Sequence, residues 1–348
     1  MNTDLSARNE QIDWLRFIGL AMIIFAHVDP PAVLFQIRNF DVPLMVVVAG
    51  LSFRYSFREM PYRQYVLRRI MRLVLPVWIF LSLSLCLVFL LGSSSAVPSM
   101  KNVLLSYSLL GGVGYVWIIR VFLMVALVAP FVFAYSKREP SNWRYLSVVA
   151  MVYLIYECIF LFYAPHKRFE DDPFLEWVWN STILYLVPYV VVFAIGLRIP
   201  DLTEKQVLIL MAILGALFAG WVFFYWYTSG TFVYTQGSKY PARTYYLSYA
   251  LLVTLLLWRV AESVTDFIRG HKRTMAVMLF VAQNSIWIYL WHVPFIDNVR
   301  LPYPAKYLVV FSAAVLATWI QGTLVTRYLL PRIRTQRTRN DVRRVLTG

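Results

Sequence analysis

Apolar residues in this chain come in long runs. They do not alternate with polar ones at the two-residue period of a half-buried strand. Ten such runs fall near residues 12–30, 42–58, 70–92, 113–135, 144–164, 176–197, 206–228, 243–262, 275–296 and 304–330. A helix needs ~17–25 residues to cross a bilayer, and the second run sits at the short limit. The pattern predicts an all-α integral membrane protein, a bundle of about ten transmembrane helices. It predicts one domain over 1–348, with 1–11 ahead of the first helix and a basic tail over 331–348. No internal repeat and no interrupted helix stands out, so the inverted repeats of many transporters are not expected. No small-residue cleavage site follows the first run, which reads as a retained helix and not a removed signal peptide.

Composition agrees. Hydrophobic residues make up 60% of the chain and charged residues 15%, where a soluble domain carries roughly 25% charge. Charge also sets an orientation. With the N-terminus on the cytoplasmic side, 23 Lys and Arg fall in inner segments and 8 in outer ones. That asymmetry fits the positive-inside rule with both termini cytoplasmic. The net charge of +15 is then mainly a topology signal, and no nucleic acid partner is expected. Cys86 and Cys158 both lie in apolar runs and read as small core residues, not as a disulfide or metal site.

The chemistry begins in the first run, which holds Arg16 and His27. Charged and titratable groups at membrane depth are costly unless they face protein or water, and so mark functional candidates. Eleven helical residues turn through about 1,100°, leaving the two side chains within ~20° of each other and ~16 Å apart along the axis. They form one stripe with a cation low and a proton-transfer group high. On the ten-helix topology His292, Glu157 and Arg120 share the depth of His27. Arg120 and Glu157 read equally as a buried ion pair holding the bundle together. Ser285, Tyr289 and His292 recur at i, i+4, i+7, one helix face, which suits either a polar cavity or interhelical hydrogen bonding. Arg68, Arg69 and Arg72 cluster before the third run. Guanidinium forks suit phosphate oxygens, although anchoring to anionic lipid heads explains them too. Four scattered histidines give no metal-ligand spacing.

Several motifs together resemble the acyltransferase family 3 membrane proteins, multi-pass bacterial enzymes that O-acylate surface glycans. They are Asp13-Trp-Leu-Arg16 with His27; Ala49-Gly50-Leu51-Ser52-Phe53; Arg68-Arg69-Ile-Met-Arg72 with Pro76; Gly114-Tyr-Val-Trp117; and Asn284 through His292. The resemblance spans nearly the whole chain. It implies transfer of an acyl group, usually acetyl, from cytoplasmic acyl-CoA to a hydroxyl of a cell-surface polysaccharide or its lipid-linked precursor. It implies a bacterial inner-membrane location, essential roles for Arg16 and His27, and donor contact by the inner arginines. No fused extracytoplasmic hydrolase-like domain is expected within these residues.

The expected mechanism docks acyl-CoA, as acetyl-CoA, on Arg68, Arg69 and Arg72 and threads its arm past Arg16 to His27. The acyl-CoA is a co-substrate, and no permanently bound cofactor is expected. His27 then acts as general base, or carries the acyl group covalently. Arg120 is a candidate oxyanion donor, with Glu157, Tyr289 and His292 as further substrate candidates. A polysaccharide exporter or flippase is the rival reading, and a succinyl-type transfer on the same scaffold, with Arg120 facing the extra carboxylate, is another. Cysteine labelling of sites placed after Gly348 and in the 165–175 loop should find them on opposite sides of the membrane. Labelling of both from one side would overturn the ten-helix topology.

Overall fold

The computed structural model describes residues 9–90, 98–111, 117–163 and 172–347. The predicted all-α bundle is what it holds: among the described residues there is no strand. The helices are α1 (Glu10–Ala26), α2 (Ala32–Ile37), α3 (Asp41–Ser56), α4 (Tyr62–Leu90), α5 (Met100–Tyr107), α6 (Trp117–Arg138), α7 (Asn142–Tyr163) and α8 (Pro173–Val178). They continue as α9 (Leu184–Arg198), α10 (Glu204–Ser229), α11 (Thr244–Arg269), α12 (Lys272–Gln283), α13 (Ser285–Asn298), α14 (Ala305–Leu324) and α15 (Gln336–Thr347). Eight spans among the described residues are long and apolar enough to cross a membrane, nine if α12 and α13 count as one. The remaining predicted run is α1, whose 17 residues reach ~25 Å. Residues 1–8 of the predicted N-terminal segment, Gly114 to Val116 of the fourth motif, and His166 lie outside the described residues.

The core forms around α1, α3 and α9. Leu15, Leu20 and Ile24 of α1, Leu44, Val46, Val47, Val48 and Leu51 of α3, and Val192, Phe193 and Leu197 of α9 are buried. Lipid tails are as apolar as leucine, so close backbone packing must help bind these helices together. Glycine permits it here. A Cβ on Gly50 would lie 2.5 Å from the Phe193 carbonyl oxygen, and one on Gly196 would lie 2.5 Å from the Val47 carbonyl oxygen. Buried residues of α6, α11 and α13 extend this core, and the more peripheral helices expose apolar surface. α10 turns Ile213, Leu217, Phe223, Trp226 and Tyr227 outward, as a helix facing lipid should.

Two expectations are corrected. The ninth predicted run is not continuous: α12 and α13 meet at Asn284 with a bend of 85°. Asn284 Nδ2 donates to the Phe280 carbonyl at 2.7 Å, the same oxygen that accepts from the Asn284 backbone N–H at 3.1 Å, so Asn284 caps the end of α12 with both groups. Non-helical backbone at membrane depth is tolerated where it is buried or lines a cavity. The second correction concerns the cysteines. Cys86 and Cys158 are exposed free thiols, because α4 and α7 are peripheral helices and turn those positions away from the core. The face of the bundle where α1 begins is called basal below, and the face where it ends apical.

Candidate active site

Helix α1 is nucleated by Asn9, whose Oδ1 accepts from Ile12 N–H at 3.1 Å. One turn later its cation is satisfied within the protein. Arg16 Nη1 donates to Asp13 Oδ1 at 2.8 Å and Nη2 donates to Ser52 Oγ at 2.6 Å. Asp13 is buried and three residues before Arg16, a spacing at which helical side chains meet. At the other end His27 closes the helix, its backbone N–H bonding the Ile24 carbonyl.

The shared depth of His27 and His292 is direct contact. His27 Nδ1 lies 3.1 Å from His292 Nε2, and the rings stack with centroids 5.2 Å apart at 28°. His292 is fully buried, and its Nδ1 bonds the Tyr289 carbonyl oxygen. A carbonyl only accepts, so His292 Nδ1 carries its proton. A neutral His292 then offers the lone pair of Nε2, and His27 must donate from Nδ1. This network assigns His27 the tautomer that keeps a basic Nε2.

A cavity of about 640 Å³ runs up this stripe from the basal side. Along α1 it is lined by Asp13, Arg16, Leu20 and Ile23, and along α13 by Ser285 and Tyr289. Gln283 and Asn284 of the helix break also line it, as do Ser52, Ser56, Arg69, Arg72 and Thr347. It ends one helical turn short of His27 on α1 and three residues short of His292 on α13. The predicted stripe therefore has a hollow along it.

The predicted residues divide. Arg16, Arg69, Arg72 and Tyr289 share the cavity wall, and His27 and His292 pair above it. Arg69 also lies over the rings of Tyr65 and Phe53, 4.9 and 5.6 Å from their centroids. Arg68 is exposed and is not part of the wall. The Arg120–Glu157 ion pair does not form. Glu157 Oε2 accepts from Arg243 Nε at 2.8 Å, while Oε1 accepts from Thr244 N–H and hydroxyl. A carboxylate at the start of α11 meets both a cation and unsatisfied helix N–H groups. Arg120 instead lies 5.6 Å from the Tyr185 ring centroid, and its Nε and Nη1 have no hydrogen-bond partner among the described residues. Other basal arginines are structural: Arg54 pairs with Asp201, Arg259 with Glu204, and Arg269 with Glu10.

Sequence reasoning missed a buried polar network on the apical side. Asp41 accepts from Arg38 Nη1 at 2.9 Å and from Lys239 Nζ at 3.0 Å. Lys239 also donates to Asn39 Oδ1, Asn39 donates to Thr235 Oγ1, and Thr235 donates from backbone and hydroxyl to Gln36 Oε1. All six residues are buried. Burial pulls the Lys239 ammonium below its ordinary pKa, and the Asp41 carboxylate works against that shift. Arg38, Asp41 and Lys239 lie within electrostatic range of His27. The network thus fastens the loop after α10 to the turn between α2 and α3, beside the histidine pair. The one signal for it was the polar string Arg38-Asn39-Phe40-Asp41 between two apolar runs. Among the described residues no group of three or more His, Cys, Asp or Glu is placed to hold a metal ion.

Comparison with known proteins bears on what such a site does. Residues 9–326 match the acyltransferase family 3 domain, an acyltransferase domain, so the match takes in every residue of the stripe and the cavity except Thr347. The chain belongs to that family and is a membrane acyltransferase. No curated protein and no solved structure matches it.

Asp41 holds two buried cations, so Asp41→Asn should cost about 3–5 kcal/mol of stability, the usual penalty for stranding a buried charge. Adding Lys239→Met should recover part of the loss. Thermal unfolding of the detergent-solubilised variants measures both, and an unchanged Asp41→Asn transition would show that the network contributes nothing to stability.

Proposed function

We propose that this acyltransferase moves an acyl group, most simply acetyl, from cytoplasmic acyl-CoA to a hydroxyl of a cell-surface polysaccharide or its lipid-linked precursor. The setting would be the bacterial inner membrane, with the basal face cytoplasmic, as the surplus of basic residues there favours. One observation carries the reading: a cavity lined at its basal end by guanidinium groups climbs the Arg16 stripe and stops beneath a hydrogen-bonded histidine pair. A donor with phosphates at one end and a thioester at the end of a thin arm has the same distribution of chemistry.

In this reading the phosphate esters of acyl-CoA lie at Arg69 and Arg72, and the pantetheine arm follows α1 past Arg16 and Leu20. The thioester comes to rest at the level of Ile23 and Tyr289. The acceptor hydroxyl arrives from the apical side. His27 Nε2 takes the hydroxyl proton as the oxygen attacks the thioester carbon, forming the C–O bond and a tetrahedral intermediate. Collapse breaks the C–S bond, and the departing thiolate takes the proton back from His27. His292 does not touch the reacting atoms. It holds the His27 ring through Nδ1 and fixes its tautomer, as an orienting group does for a catalytic histidine. The bond to His292 makes His27 a base with a set direction, which favours direct transfer over an acyl-histidine. The exporter reading draws on one feature, the helix break at Asn284, since interrupted helices line the sites of many transporters.

Mass spectrometry of surface glycans from cells carrying each variant separates these readings. His27→Ala should lower acyl incorporation by roughly 10²–10⁴-fold, the range of a general base, while the purified variant still binds CoA. His292→Ala should lose less, and His292→Gln should recover part of that loss, because an amide oxygen also accepts from His27 Nδ1–H. Glycan that still reaches the surface but carries no acyl group fits the transferase. Glycan that fails to reach the surface fits the exporter, and near-normal acylation by His27→Ala rules out the mechanism.

A further inference from the structure

The C-terminal helix α15 lies beyond the family match, which ends at residue 326, yet it forms part of the cavity. The last carbonyls of any helix lack partners within it, and here neighbouring helices supply them. Trp287 Nε1 of α13 donates to the Val345 carbonyl at 2.9 Å, and Gln321 Nε2 of α14 donates to the Leu346 carbonyl at 2.7 Å. Val345 is buried, and Thr347 lines the cavity with Arg16, Arg69 and Arg72. Arg344 is one turn before Thr347 and within electrostatic range of Arg72, as are Arg16 and Arg69.

Arg16, Arg69 and Arg72 thus line the cavity, with Arg344 outside its wall but on the helix that brings Thr347 to it and within electrostatic range of Arg72. Asp13 pairs with Arg16 at 2.8 Å and Asp341 with Arg344 at 3.4 Å. Among the described residues neither Arg69 nor Arg72 has a carboxylate partner. The negative end of the α15 dipole offsets about half a charge at most. The remaining surplus favours an anion with several charges, and planar guanidinium forks bind phosphate oxygens well. We propose that α15 completes the donor's phosphate site, with Arg344 binding phosphate esters of the nucleotide end alongside Arg72. The inference rests on the basal donor site proposed above and extends it to a helix outside the family domain. An anionic lipid headgroup offers the same phosphate chemistry.

Equilibrium binding of CoA, 3′-dephospho-CoA and pantetheine to the whole protein in nanodiscs tests it and needs no acceptor. In phosphatidylcholine, Arg344→Gln should weaken CoA binding by roughly tenfold, the scale of one charge-assisted contact, and leave pantetheine binding within about twofold. Trp287→Phe, which removes the anchor on the Val345 carbonyl, should weaken CoA binding in the same selective way, with its thermal transition confirming that it folds. Equal affinity of wild type and Arg344→Gln for CoA would overturn the proposal, leaving α15 as a brace. So would an effect of Arg344→Gln that emerges only when phosphatidylglycerol is added, which would assign the site to lipid. Arg72→Gln is the control for the underlying reading. Weakened CoA binding in Arg72→Gln alone defeats only the role of α15, whereas unchanged binding in both variants defeats the basal donor site itself.

Discussion

A charged group and a titratable ring inside an apolar helix must be satisfied by the protein, because the bilayer core offers them nothing. Most of the architecture follows from meeting that demand in α1. Arg16 is held by Asp13 on its own helix and by Ser52 on α3, and His27 is held by His292 on α13. Those partners bring α3 and α13 against α1 and place the helix near the centre of the bundle. The peripheral helices, α10 above all, carry almost no such obligation and present plain apolar surface.

Close packing and hollow space follow from each other here. The Gly50 and Gly196 contact draws α3 and α9 into backbone contact and makes a tight core on one side of α1. On another side the 85° bend at Asn284 pulls α12 and α13 out of line, and the space so opened is lined by Gln283, Asn284 and Ser285. A continuous ninth helix would fill much of that space with side chains. The break, an irregularity in the fold, is thus part of what shapes the proposed donor track, and the apical network at Asp41 braces the bundle beside the histidines.

The helices were legible because an apolar run long enough to span has few other stable forms. The stripe was legible because Arg16 and His27 sit on one helix, where spacing alone fixes their relation. Relations between helices were harder. Equal depth brought His27 and His292 together correctly, but it also suggested Arg120 for Glu157. Depth fixes one coordinate of three, and Arg243 was nearer in the other two. The Asp41–Lys239 link joins residues 198 positions apart, and nothing local announces it. The break at Asn284 was written in the polar triplet Gln283-Asn284-Ser285, read as part of one continuous helix because its neighbours are so apolar. The docking of α15 was not legible, since its anchors bond backbone carbonyls, which every residue carries.

The central claim is that the acyl end of the donor lies between Ile23 and His27 on α1 and between Tyr289 and His292 on α13. A CoA thioester with a photoreactive acyl group, activated on the purified protein and mapped by peptide mass spectrometry, tests it directly. Adducts are expected within those two segments, reduced by excess CoA. Adducts confined to the lipid-facing surfaces of α10 or α14, or adducts in the two segments that excess CoA leaves unchanged, would contradict it.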